Sequence, residues 1–216
     1  LAYAHYNNSI WCVVLKANGP TFCAGADLKA FAGENTAEKI STIPMPNDIV
    51  KLGDESNGLH KPCIAQVHAD VYAGGFLMIG GCTHVIAVES AKFGLPEVKR
   101  GIFPFQVMAT LEPLMSARQL LDLCIRAKIL SAKEAQEIGI VSEVVKEENL
   151  ASRVQELIAE IKEQSPTAIR LGLKAFQEMK TKSAEDKHKY LHAMLMDCLK
   201  SKDAAEGLLA FKEKRK

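Results

Sequence analysis

Residues Ala65–Phe105 read AQVHADVYAGGFLMIGGCTHVIAVESAKFGLPEVKRGIFPF, and the parsing of this stretch decides the fold. Ile64–His68 has the short apolar character of a buried strand, which gives way to the small-residue turn Ala73-Gly74-Gly75. Phe76–Ile79 then reads as a short buried helix, Thr83–Val88 as a second strand and Phe93-Gly94-Leu95-Pro96-Glu97 as a turn. A strand, two glycines and a helix start let backbone N–H groups come close to a ligand, so this junction is a candidate site for a developing oxyanion. Glu97 is one carboxylate in a mostly apolar neighbourhood, expensive to bury unless it has a partner or a chemical task. The plain alternative is that Gly74 and Gly75 only make a tight turn and that Glu97 is a surface acid after a proline.

Upstream, Ile10–Lys16 (IWCVVLK) is rich in β-branched and aromatic residues and stops at Asn18-Gly19-Pro20, which predicts a buried strand closed by a turn. Phe22–Leu28 (FCAGADL) follows as a second small-residue loop that can turn N–H groups inward, with Asp27 able to cap a helix after it. Residues 29–58 are polar and broken by Gly33, Pro44, Pro46, Gly53 and Gly58, a pattern that suits irregular helices and a pocket wall or lid.

Downstream, helices are expected over Gln106–Met115 and Ala117–Arg126. A capping box at Ser131–Glu134 opens a short helix ended by Gly139, and Ile140–Val145 reads as a strand. From Glu147 the pattern is helical: Leu150–Glu163 with one apolar face, a helix opened by Ser165-Pro166, another by Ser183, and a last one over Lys202–Lys216. A boundary is placed near Leu130, giving an α/β core over 1–130 that carries the site and a mainly helical region over 131–216. Leu1–Asn7 resembles the tail of a helix running into a strand, so the first elements of the α/β core are expected to be missing.

The 216 residues are 48 % hydrophobic and 25 % charged with a formal net charge of +1, which fits a globular domain and gives no sign of a nucleic-acid partner. No apolar run approaches the roughly 20 residues of a membrane span. The six cysteines form no C-x-x-C pair and do not cluster with the six histidines, so no metal site is expected. Free cysteines in apolar contexts point to a reducing, cytoplasmic compartment.

Taken together, FCAGADLK at Phe22–Lys29 and VHADVYAGGF…FGLPEVKRG from Val67 to Gly101 resemble the enoyl-CoA hydratase/isomerase (crotonase) superfamily. SAKEAQEIGIVSEVV at Ser131–Val145 and the ending AFKEKRK resemble it too. The resemblance implies a crotonase-like spiral of ββα units with a helical C-terminal region that assembles trimers or hexamers. It implies an acyl-CoA substrate and no cofactor beyond the coenzyme A thioester itself. The backbone N–H groups of Ala26 and Gly74 would form the oxyanion hole, with Gly75 beside them. Ala24, Asp27, Lys29 and Lys214 would lie along the coenzyme A, Lys214 being equally well a solvated tail residue. Glu97 matches one of the two acid/base glutamates of the hydratases, and Leu77 stands where the other would be. A single glutamate suffices to move a double bond from the Δ3 to the Δ2 position, so the pattern resembles the family's isomerases. A hydratase, with Glu97 alone or with an acid from the Glu34–Glu55 loop, is the alternative, and a non-catalytic CoA-binding subunit is a further one. Phe76, Phe103 and Met108 would line an acyl pocket or belong to the core.

Overall fold

The computed structural model describes residues 1–27, 52–56 and 58–215. They divide into two compact units, one drawn from 14–27, 52–56 and 63–154, the other from 1–13, 58–62 and 155–215. The boundary expected near Leu130 falls within the first of these, because the strand at Ile129–Ser131 pairs with the one at Lys92–Gly94.

The first unit is built on two sheets. The larger contains β1 (Val13–Leu15), β2 (Cys63–Val67), β4 (His84–Val88) and β7 (Glu143–Val145) in the order β1-β2-β4-β7. β4 is parallel to both β2 and β7, with Ile64 opposite His84 and Ala87 opposite Val144. Parallel strands are covered on both faces and read as continuous apolar runs, as CIAQV and HVIAV do. The smaller sheet contains β3 (Val71–Tyr72), β5 (Lys92–Gly94) and β6 (Ile129–Ser131), with β5 parallel to β3 and antiparallel to β6. Between the strands lie α2 (Leu52–Glu55), α3 (Gly75–Ile79), a 3₁₀ turn at Glu97–Arg100, α4 (Phe105–Leu111), α5 (Ala117–Arg126) and α6 (Ala132–Glu137). Ile64, Val67, Val71, Phe76, Ile79, Val88, Phe93 and Leu95 are fully buried and form the centre of this core.

The second unit is helical: α1 (Ala2–Tyr6), the later part of α7 (Leu150–Lys162), α8 (Pro166–Glu178), α9 (Ala184–Leu199) and α10 (Lys202–Lys212). Ser165, Ser183 and Ser201 each accept from an N–H of the helix they open, which fixes three of these starts. Asp203 in the first turn of α10 accepts from the Ser165 hydroxyl (2.7 Å) and the Thr167 N–H (3.3 Å), joining the starts of α8 and α10. Lys61 is buried, and its ammonium donates to the carbonyls of Ala4 (2.5 Å) and Asn7 (2.8 Å). Arg170 of α8 reaches the same segment, donating to Asn8 Oδ1 (2.9 Å) and the His5 carbonyl (2.7 Å). Among the described residues no helix is long and apolar enough to cross a membrane.

Several expected elements are shorter in the structure. Ile10 donates to Asn7 O (3.1 Å), so the chain is still turning there and β1 is confined to Val13–Leu15. The helix expected over Gln106–Met115 ends at Leu111 and tightens into a 3₁₀ turn at Glu112–Leu114, where Pro113 has no N–H to continue the α ladder. Ile140 and Val141 both donate to Ala135 O and close the turn after α6, leaving only Glu143–Val145 in β7. The last helix stops at Lys212, and Lys214 takes a left-handed φ of 55°.

Candidate active site

Two loops of the first unit are sewn together by main chain. The N–H groups of Phe22 and Cys23 donate to Asp70 O (3.0 and 3.3 Å), Tyr72 N–H donates to Cys23 O (2.8 Å), and Cys23 bridges Val71 in parallel. This places Gly25-Ala26 against Ala73-Gly74. A methyl group on Gly25 would stand 2.8 Å from Ala73 Cβ and 3.4 Å from Gly74 N, and Gly25 has a φ of +97° that side chains rarely adopt. A methyl group on Gly74 would stand 3.7 Å from Ala26 N. The N–H groups of Ala26 and Gly74 are therefore neighbours, and among the described residues neither donates to a protein acceptor. Gly75 is buried, and a methyl group there would meet Cys23 Cβ and Val71 Cγ1 at 2.9 Å, so its missing side chain is what lets the loops close. Ala73 makes the sharp turn at a φ of +51°, a conformation costly for a residue with a Cβ and held here by its N–H bond to Gly94 O (3.1 Å).

Asp70 braces this arrangement. Besides its carbonyl bonds to the first loop, its carboxylate accepts from the Tyr72 hydroxyl (2.9 Å) and from Lys92 N–H (2.8 Å) at the start of β5. Burial and the neighbouring Asp70 raise the Tyr72 pKa, keeping the phenol protonated and donating. The sequence reading did not single out Asp70, since an aspartate after a strand looks like any turn residue.

Glu97 begins the 3₁₀ turn Glu97–Arg100, which closes on Gly101 at a φ of 73°. The pairing of Tyr72 with Gly94 sets the start of this turn beside the Ala73-Gly74 turn. Glu97 Oε2 is buried and, among the described residues, has no hydrogen-bond partner. Burial pushes the Glu97 pKa up, against smaller opposing pulls from a backbone N–H and from Arg100. Cys124 on α5 is fully buried, and its thiol is raised first by burial and then by the negative charge of Glu97. Gln66 Oε1 and Ser56 Oγ are also buried without partners, but neither group is ionisable near neutral pH.

Leu77 is buried on α3, with its Cδ2 3.6 Å from where a methyl group on Gly53 of α2 would stand. Phe76 is fully buried and packs edge-on to Phe93 with centroids 6.4 Å apart, which makes it core. Phe103 and Met108 are half-buried, Phe103 lying 5.2 Å from Phe105. Ala24 and Asp27 are exposed at the end of the first loop. Lys29, and the Glu34–Glu55 loop apart from 52–56, lie outside the described residues. Lys214 belongs to the helical unit, exposed just past α10, with its N–H donating to Phe211 O (3.2 Å).

Neighbouring N–H groups that donate to no described residue are suited to hold a carbonyl oxygen as it gains charge, and a buried carboxylate with an orphan oxygen is suited to accept a proton. The sequence profile of the enoyl-CoA hydratase/isomerase family matches residues 1–216. The chain belongs to that family. Among its relatives is the "Probable enoyl-CoA hydratase" of Bacillus subtilis (strain 168), 32 % identical over 206 residues, or 94 % of this chain and 79 % of the relative. The "Enoyl-CoA isomerase/hydratase fer4" of Mycosarcoma maydis is 30 % identical over 94 % of this chain and 74 % of its own length. A crystal structure of an enoyl-CoA hydratase from Mycobacterium smegmatis superposes with a TM-score of 0.86 at 22 % identity, covering 100 % of this chain and 83 % of the other, which shows a shared fold. In this hydratase/isomerase family member the two loop motifs expected to act together do meet in space, as do the turns that carry Gly74 and Glu97.

Proposed function

We propose that this family member shifts the double bond of a 3-enoyl-CoA to the 2-position, with Glu97 as its single base. The observation that carries the reading is the buried, unpartnered Oε2 of Glu97, in a fold where the position expected for a second glutamate is the buried Leu77. The thioester carbonyl is held by the N–H groups of Ala26 and Gly74. Glu97 takes a proton from the α-carbon, the enolate charge collects on the held oxygen, and Glu97 returns the proton to the γ-carbon. Leu77 supplies no polar group to position a water, which favours proton transfer over hydration. Ala24, Asp27, Lys29 and Lys214 are proposed for the coenzyme A, and assembly into trimers or hexamers is proposed for the exposed apolar side chains of α9 and α10.

A second reading, addition of water to a 2-enoyl-CoA, is favoured by the name carried by the Bacillus subtilis relative. Assays of the protein with a 3-enoyl-CoA and with crotonyl-CoA, beside Glu97→Gln, separate the two. Turnover of the 3-enoyl substrate alone, lost in the variant, supports the isomerase. Fast hydration of crotonyl-CoA overturns it, and coenzyme A binding without turnover of either substrate leaves a binding subunit.

A further inference from the structure

Cys63 opens β2, and Cys82 lies two residues before β4, at the exit of α3. The backbone between them is pinned. Thr83 N–H donates to Cys63 O (2.8 Å), and the Thr83 hydroxyl both donates to Cys63 O (2.9 Å) and accepts from Cys63 N–H (3.0 Å). The two sulfurs lie 3.5 Å apart. A disulfide needs about 2.05 Å, so a closure of about 1.5 Å joins them, within reach of small side-chain rotations on a backbone that holds the pair together. Cys63 is buried and Cys82 is half-exposed, so a small uncharged reagent meets the pair from the Cys82 side. The Cys82 thiol is within hydrogen-bond distance of both Cys63 Sγ and Met78 O (3.4 Å). Exposure gives the two sulfurs unequal roles, Cys82 meeting the reagent first and Cys63 lying behind it. Neither residue has a part in the proton transfer proposed above.

We propose that Cys63 and Cys82 form a reversible oxidation site that reduces a hydroperoxide and closes to an intramolecular disulfide. The Cys82 sulfur attacks the peroxide oxygen, the O–O bond breaks, and Cys82 becomes a sulfenic acid while water or an alcohol leaves. The Cys63 sulfur then attacks the Cys82 sulfur, the S–O bond breaks, and the departing hydroxide takes the Cys63 proton as water. Two thiols lose two electrons and the peroxide gains them; a dithiol reductant reverses the change. The closed bond ties the start of β2 to the end of α3, enclosing the turn that carries Gly74 and the helix that carries Leu77.

The test is covalent and does not pass through turnover, so it stands or falls apart from the proposed reaction. The reduced protein is treated with a few equivalents of hydrogen peroxide, denatured, alkylated and mapped by peptide mass. The expected result is a linked pair of peptides carrying Cys63 and Cys82, with alkylation of both lost in parallel and restored by dithiothreitol. Cys63→Ser and Cys82→Ser should each remove the link. Wild-type mapping decides alone if a variant fails to fold. Full alkylation of Cys63 and Cys82 at every peroxide dose overturns the proposal, as do oxidation centred on other cysteines and links formed only between chains.

Discussion

Phe76 and Phe211 sit on helices of the two units and have opposite surroundings. The first is fully buried against Phe93, and the second is 84 % exposed. The contrast extends to their neighbours. The sheet unit buries its apolar strands and, among the described residues, leaves one carboxyl oxygen, that of Glu97, inside without a partner. In the helical unit Leu195, Leu208 and Phe211 on α9 and α10 face outward, while Lys61 is buried with its ammonium bonded to two carbonyls. A buried polar group that is satisfied serves the fold, and an ionisable one left unsatisfied costs stability and is a candidate for a chemical task. Both units contain amphipathic helices, so apolar periodicity alone did not distinguish the site from the scaffold.

The largest effect is expected at Glu97. Glu97→Gln should lower isomerisation by about 10²- to 10⁴-fold, the usual contribution of a positioned base, and kcat/KM of the wild type should climb with pH through the raised Glu97 pKa, because the base acts unprotonated. The same variant should gain stability at neutral pH. Burial makes the folded protein hold the Glu97 proton more tightly than the unfolded chain does. The carboxyl's favourable contribution is thus complete below its ordinary value of 4.5 and is lost as pH rises through the folded value. Melting temperatures of wild type and variant should therefore differ more at pH 7 than at pH 4, and an equal gap at both would show that Glu97 is not strained by burial.

Phe76→Ala should cost about 3–5 kcal/mol in denaturant unfolding, the toll of removing a large aromatic from a closed core. A cost under about 1 kcal/mol would place Phe76 in a yielding site and weaken the contrast with Phe211. Lys61→Met should cost about 1–3 kcal/mol by leaving the carbonyls of Ala4 and Asn7 without a donor. An unchanged unfolding midpoint would mean that water replaces the ammonium and that the buried cation is dispensable. Phe211→Ala should change the stability of the isolated chain by no more than about 0.5 kcal/mol. A larger loss that grows with protein concentration would show that another copy covers this face, and light scattering on wild type and variant would register it as a change in mass.

The strands β2 and β4 and the helix α3 were legible because their residues are almost all apolar, with Pro62 before β2 and Gly74 and Gly80 on either side of α3. The starts at Ser131, Ser165 and Ser183 were legible because capping chemistry is local, a side chain meeting an N–H three residues on. The smaller sheet was not legible. β3 has two residues and β5 and β6 three each, too short for a period to show, and they exist because Tyr72, Gly94 and Ile129 align in register. For the same reason Phe93–Glu97 reads as a turn in the sequence, while its first two residues belong to the strand Lys92–Gly94 in the fold. Asp70 and the Cys63–Cys82 contact were hidden because their partners lie far along the chain.

The sequence by itself determined the order of the helices and of the larger sheet's strands, the family motifs, and the presence of one carboxylate at Glu97 with an aliphatic residue at Leu77, since these depend on residue identity and on neighbours within a few positions. Only the tertiary structure decided that Gly25 and Gly75 let two loops meet and that, among the described residues, the N–H groups of Ala26 and Gly74 stand together unspent and the Glu97 oxygen is buried without a partner. Close approach and desolvation are set by what packs against a residue, and chain-distant contacts such as Asp70 to Lys92 set that packing.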